Sequence, residues 1–124
     1  MATTRTIDQV ATEALERMGV TPVGTTPVTA HTTDMTRAYD ELFLELQQDG
    51  LTTWASDAAV PSEYISVLAD LMGLSRAQKF GTSAEKLNLI IAHVGVDGEK
   101  GKNKIRRLNA NAKTTATVVA GNFF

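Results

Sequence analysis

The stretch Thr6-Ile7-Asp8-Gln9-Val10-Ala11-Thr12-Glu13-Ala14-Leu15-Glu16-Arg17-Met18-Gly19 decides the fold class. Thr6 and Gln9 have the spacing of a capping box: the threonine oxygen accepts from the third helical N–H and the glutamine reaches back to the cap. Ile7, Val10, Ala11, Ala14, Leu15 and Met18 then recur at steps of three and four, which puts them on one stripe of a helix. Gly19 supplies a left-handed stop. A helix that is apolar along one stripe must bury that stripe against other helices or a sheet.

Reading outward, the neighbours are also helical. Thr21 to Thr29 holds two prolines, a glycine and four threonines and reads as an irregular link. A second helix is predicted from about Ala30 to Asp49, capped by Thr29 or Thr33, with Met35, Ala38, Tyr39, Leu42, Phe43 and Leu46 inward. Its other face carries Asp34, Asp40, Glu41, Glu45 and Asp49, which reads as a solvated acidic surface. Gly50 ends it. Leu51 and Trp54 follow at once, and a large apolar side chain just past a helix end folds back onto the last turn.

Pro61 suits the first position of a third helix, whose residues Tyr64, Ile65, Leu68, Leu71, Met72 and Leu74 are apolar around more than half its girth. That helix is expected at the centre, closing at Gly81. The expected core anchors are Leu42, Leu46, Leu51, Trp54 and Leu68. Thr82-Ser83-Ala84-Glu85 has the form of a second capping box and opens a fourth helix through Leu87, Ile90, Ile91 and Val94. Gly95, Gly98 and Gly101 then interrupt the pattern. Ile105 to Ala112 is compatible with a short helix, and the threonine- and valine-rich run from Lys113 prefers an extended chain. The expectation is an all-α fold: a four-helix bundle-like body over 1–95 and a basic, extended C-terminal docking arm over 96–124.

The charge supports that division. Residues 1–99 hold six cations against all fourteen acids, a net of −8, whereas the last 25 residues hold Lys100, Lys102, Lys104, Arg106, Arg107 and Lys113 with no acid. Such asymmetry points to an acidic body with a basic arm. Cysteine is absent, which excludes disulfides and thiolate metal sites. No run of apolar residues approaches the length needed to span a bilayer, and the first residues lack the apolar segment of a secretory signal. The chain is therefore expected to be soluble, made in the cytoplasm and free of membrane contact.

Chemistry is thinly represented. The two histidines, His31 and His93, lie in no nucleophile motif. His93 with Asp97 and Glu99 has donors for a divalent metal, but the glycine-rich surroundings fix no geometry. Gly95 to Asn103 lacks the spacing and the hydroxyl of a phosphate-binding P-loop. No carboxylate is marked for the apolar pocket that an acid–base pair requires. The reading is a protein without catalytic residues, metal or cofactor.

The order of pieces resembles the head-to-tail adaptor family of short-tailed double-stranded-DNA phages, also called packaged-DNA stabilisation or tail accessory proteins. The likeness spans roughly residues 4–91: an opening helix ending Leu15-Glu16-Arg17-Met18-Gly19-Val20, a Thr/Pro link, a long helix, Gly50-Leu51 with Trp54, then a Pro61-initiated helix with Leu68-Ala69 at its centre and Phe80-Gly81 at its end. The resemblance implies a homo-oligomeric ring of about twelve copies between the portal ring and the tail nozzle protein. The ring would extend the DNA channel and join capsid to tail. Packaged DNA would pass without sequence-specific contact, in a protein found in the virion neck after a period in the host cytoplasm.

No family motif aligns with the arm, so its role rests on composition. Arg106, Arg107 and Lys113, with the terminal Phe123 and Phe124, are the expected contacts to a portal or a neighbouring copy. The alternative is a small helical DNA-binding protein that lays the same basic arm on phosphates.

Overall fold

The computed structural model describes residues 4–56 and 59–121, with side chains through residue 111. Five helices and one two-residue strand pair make up the described chain: β1 (Thr4–Arg5), α1 (Ile7–Arg17), α2 (Thr29–Gln48), β2 (Val60–Pro61), α3 (Ser62–Arg76), α4 (Ala84–Val94) and α5 (Glu99–Gly121). The fold is all-α and bundle-like, as the periodicity predicts. None of the described helices is long and apolar enough to cross a membrane.

The opening helix forms as read. Gln9 N donates to Thr6 Oγ1 at 3.2 Å and Thr6 N to Gln9 Oε1 at 2.9 Å, so the capping box closes in both directions. Val10, Ala11, Ala14 and Leu15 are wholly buried, and Gly19 takes φ +76°. β1 lies antiparallel to β2 with Thr4 opposite Pro61 and Arg5 opposite Val60, tying the start of the chain to the entrance of α3. Two residues of pairing leave no alternation to read in a sequence.

α3 is the hub, packed on α1, α2, α4 and α5. Tyr64, Val67, Leu68, Ala69, Leu71 and Met72 are all buried. Gly73 lets α4 and α1 close over it: a Cβ there would stand 3.2 Å from Ile90 Cδ1 and 3.3 Å from Met18 Cγ. Of the expected anchors, Leu46, Leu51 and Leu68 lie in the core, while Leu42 and Trp54 are half-buried at its edge. Trp54 meets Tyr64 at 4.7 Å and Phe43 at 6.0 Å between ring centroids and donates from Nε1 to Tyr39 Oη at 2.8 Å. Its polar tip is thus satisfied while its rings cover the end of α2.

Three expectations about helix ends are corrected. α2 is preceded by Val28 with no side-chain cap. Pro61 is the residue before α3 and not its first helical position. The cap of α4 is Ser83, which accepts from Lys86 N at 3.3 Å, while Thr82 Oγ1 is buried without a partner. When several hydroxyl residues adjoin, the approach angle of the chain selects the cap.

The larger correction concerns the arm, which is helical from Glu99 to Gly121 and not extended. Gly101 is no breaker: a Cβ there would sit 2.9 Å from both Leu71 Cδ2 and Val94 Cγ1, so the glycine is where α5 crosses closest to α3 and α4. Gly98, at φ +80°, makes the turn into the helix, and Asp97 Oδ1 accepts from Glu99 N at 3.1 Å. Ile105 is wholly buried in the same core as α1 to α4. The first half of α5 therefore belongs to the body, because tertiary contact outweighs the roughly 1 kcal/mol helix penalty of a glycine.

Candidate functional site

The acidic face of α2 is largely spent on the chain's own cations. Asp34 is nearly buried, 2.6 Å from Lys79 Nζ; its other oxygen faces Arg76 Nε at 3.5 Å without hydrogen-bond geometry. Glu41 takes Arg76 Nη2 at 3.0 Å. Lys102, reaching from α5, sits between Glu45 at 2.7 Å and Asp49 at 3.1 Å. Its ammonium is held above the ordinary lysine range, led by the Glu45 hydrogen bond and opposed by burial. Of the five acids, only Asp40 has no ion-pair partner among the described residues.

The basic run along α5 is divided in the same way. Lys100 Nζ donates to the Ala92 carbonyl at 2.8 Å and closes over Gly95. Arg106 donates to Asn103 Oδ1 at 2.6 Å and stands 3.9 Å from Glu99. Lys104 and Arg107 have no hydrogen bond or ion pair among the described residues, and both face one groove. That groove, about 520 Å³, lies between α3 and α5 with α4 at one end.

Its walls follow from helical spacing. Glu63, Ser66, Val67 and Asp70 form an i, i+3, i+4, i+7 strip of α3, and Lys104, Arg107, Leu108 and Asn111 form the equivalent strip of α5. The helices run antiparallel, since Tyr64 Oη donates to Asn109 Oδ1 near one end and Gly101 meets Leu71 near the other. Glu63 and Asn111 accordingly mark one end of the groove, and Asp70, His93 and Lys104 the opposite one. Val67 and Leu108 give it an apolar middle.

Asp70 is the fixed point at the basic end. Its side chain is 4 % exposed, and Oδ2 lies 2.9 Å from Arg17 Nη1 and 3.1 Å from His93 Nδ1. Arg17 is steadied by Glu13 at 3.1 Å and by the Ser66 carbonyl at 3.4 Å. Burial tends to lower the Arg17 pKa, but Asp70 outweighs it and the net direction is upward. A buried carboxylate needs such compensation. With Nδ1 directed at Asp70, the other ring nitrogen of His93 is the one free for a ligand.

The sequence-named docking residues fall into three groups. Arg107 lines the groove, Arg106 is turned to its own helix, and the Lys113 side chain, Phe123 and Phe124 lie outside the described residues. Sequence reading missed Lys104, Asp70 and His93 as a set; the three- and four-residue steps among Lys104, Arg107 and Leu108 were the available signal. His93, Asp97 and Glu99 do not converge, and among the described residues no group of three or more His, Asp or Glu side chains gathers as for a metal. His31 instead meets Phe80 edge-on at 5.2 Å. No protein-family model, curated protein or solved structure matches the chain.

Proposed function

We propose that the chain is a structural connector of the phage head-to-tail kind, a non-enzymatic helical body that assembles as a ring against a portal and is docked by the distal part of α5. The observation that carries this reading is the division of labour along α5. Gly101, Lys102, Ile105 and Asn109 fasten its first half to α2, α3 and the Leu51 segment. The helix nevertheless continues to Gly121, well past Asn109. A helix of 23 residues is roughly 34 Å long, about the diameter of a small domain, and in this proposal its second half is the part that meets a neighbour. The ordered resemblance over residues 4–91 supports the same reading.

In this proposal the portal ring, the tail nozzle protein and further copies of the chain are the partners, and DNA passes without sequence-specific contact. The place of action is the virion neck. Native mass spectrometry of the full chain mixed with portal rings tests it: ring-sized complexes are expected for the full chain and none for a chain lacking residues 113–124. Equal assembly by both chains, or none by either, would overturn it. Circular dichroism of the shortened chain checks that its body remains helical.

A further inference from the structure

We propose that the groove between α3 and α5 is a binding site for a phosphate group carried on a partly apolar body, with Lys104, Arg107 and His93 as the anion ligands. This site is independent of the docking role given to the distal part of α5.

The argument begins with which charges remain uncommitted. Three of the five cations on the described part of α5 are occupied: Lys100 by a carbonyl, Lys102 by two carboxylates, Arg106 by Asn103. Lys104 and Arg107, one turn apart, are the pair left over, and both line the groove. Two cations side by side, neither in a direct ion pair among the described residues, repel one another, and an oxyanion between them removes that cost. His93 stands at the same end, with Nδ1 engaged by Asp70 at 3.1 Å. Its ring lines the groove as a third polar group. Asp70 does not repel the anion strongly, because Arg17 at 2.9 Å neutralises it from behind.

Charge separates phosphate from carboxylate. An arginine fork and an ammonium, with the His93 ring and the Ser66 hydroxyl beside them, bring two full positive charges to this part of the groove, which suits a dianion better than a single carboxylate. A phosphate ester offers more acceptor oxygens and a greater charge. Val67 and Leu108 lie beside the basic end and suit an aromatic or aliphatic body, while Glu63 at the far end disfavours a second negative charge there. The occupant is thus a monoester or a single backbone phosphate, free or within a nucleic-acid strand.

The test uses the full chain, with inorganic phosphate, phenyl phosphate and a short single-stranded deoxyoligonucleotide as probes, followed by NMR of the His93 ring and of the α5 amides. Phenyl phosphate should bind saturably and more tightly than inorganic phosphate. Lys104→Gln and Arg107→Gln should each weaken it about tenfold, the scale of one charge-assisted hydrogen bond. Arg106→Gln should leave it unchanged, and Glu63→Gln should strengthen it. Absence of saturable shifts at His93, or equal weakening by Arg106→Gln, would overturn the proposal. An oligonucleotide that binds more tightly, with an affinity that falls steeply with salt and depends on Arg107, assigns the phosphate to nucleic acid. Equal affinity for phenyl phosphate and oligonucleotide assigns it to a free ester.

Discussion

Asn109 of α5 donates from Nδ2 to the main-chain carbonyl of Leu51 at 2.8 Å, and in the same position its Oδ1 accepts from Tyr64 Oη. One amide thus ties the last helix to the segment after α2 and to the start of α3. Tyr64 also accepts from Thr53 Oγ1 at 3.4 Å and stacks on Trp54, so the Asn109 side chain closes a polar network at the rim of the aromatic cluster.

Asn109→Ala removes both partners at once and leaves the Leu51 carbonyl and the Tyr64 hydroxyl unsatisfied. The expected loss is about 1 to 3 kcal/mol, read as a lowered urea midpoint at unchanged slope. Restoring only one bond with Asn109→Ser should recover less than half of it.

Gly101 and Gly73 are both helical glycines in tight contact, yet they should respond differently to alanine. At Gly101 the new methyl meets Val94 Cγ1 and Leu71 Cδ2 at 2.9 Å, with Val94 Cβ at 3.0 Å. Val94 is β-branched and cannot swing aside, so overpacking of about 1 to 3 kcal/mol exceeds the helix-propensity gain of about 1. At Gly73 the neighbours are Ile90 Cδ1 at 3.2 Å and Met18 Cγ at 3.3 Å, which need give by only a few tenths of an ångström. Thermal melts should show Gly101→Ala clearly destabilised and Gly73→Ala within about 1 kcal/mol of the parent.

Lys102 sets a pH dependence on the alkaline side. Its folded pKa lies above the ordinary value of 10.5, so its contribution is fully present below that value and is lost as pH rises through the folded one. Tyr39, whose phenol is pushed up by burial against an opposing hydrogen bond from Trp54, acts in the same direction. Lys102→Met should cost about 1 kcal/mol near neutrality, since Glu45 and Asp49 are partly solvated. The parent should then lose stability faster than Lys102→Met above about pH 10.5, with Tyr39→Phe isolating the phenol. Identical alkaline slopes for parent and Lys102→Met would exclude the lysine as the cause.

Trp54 stands at the edge of the core, which moderates its expected weight. Trp54→Ala should cost about 3 kcal/mol, the lower end for large aromatics. Trp54→Phe should keep most of the contact with Tyr64 and Phe43 and lose about 1 kcal/mol with the hydrogen bond to Tyr39. Equilibrium unfolding followed by far-ultraviolet circular dichroism measures both without relying on the tryptophan signal.

The sequence by itself determined what depends on short-range periodicity and capping. The Thr6–Gln9 box, the stripe from Val10 to Leu15, the stop at Gly19 and the all-round apolar face of α3 are each written within a turn or two of the chain, where side-chain direction follows from helix geometry. Only the tertiary structure decided the fate of α5 and of the charges. Gly101 reads as a breaker until Leu71 and Val94 are seen to need its missing side chain. Lys102 and Arg107 are equally cations of one basic run in the sequence, yet one is clamped between Glu45 and Asp49, more than fifty residues away, and the other faces an open groove. Coulomb attraction acts through space and depends on separations of a few ångströms, so no local pattern records which cation will be neutralised and which will remain for a ligand.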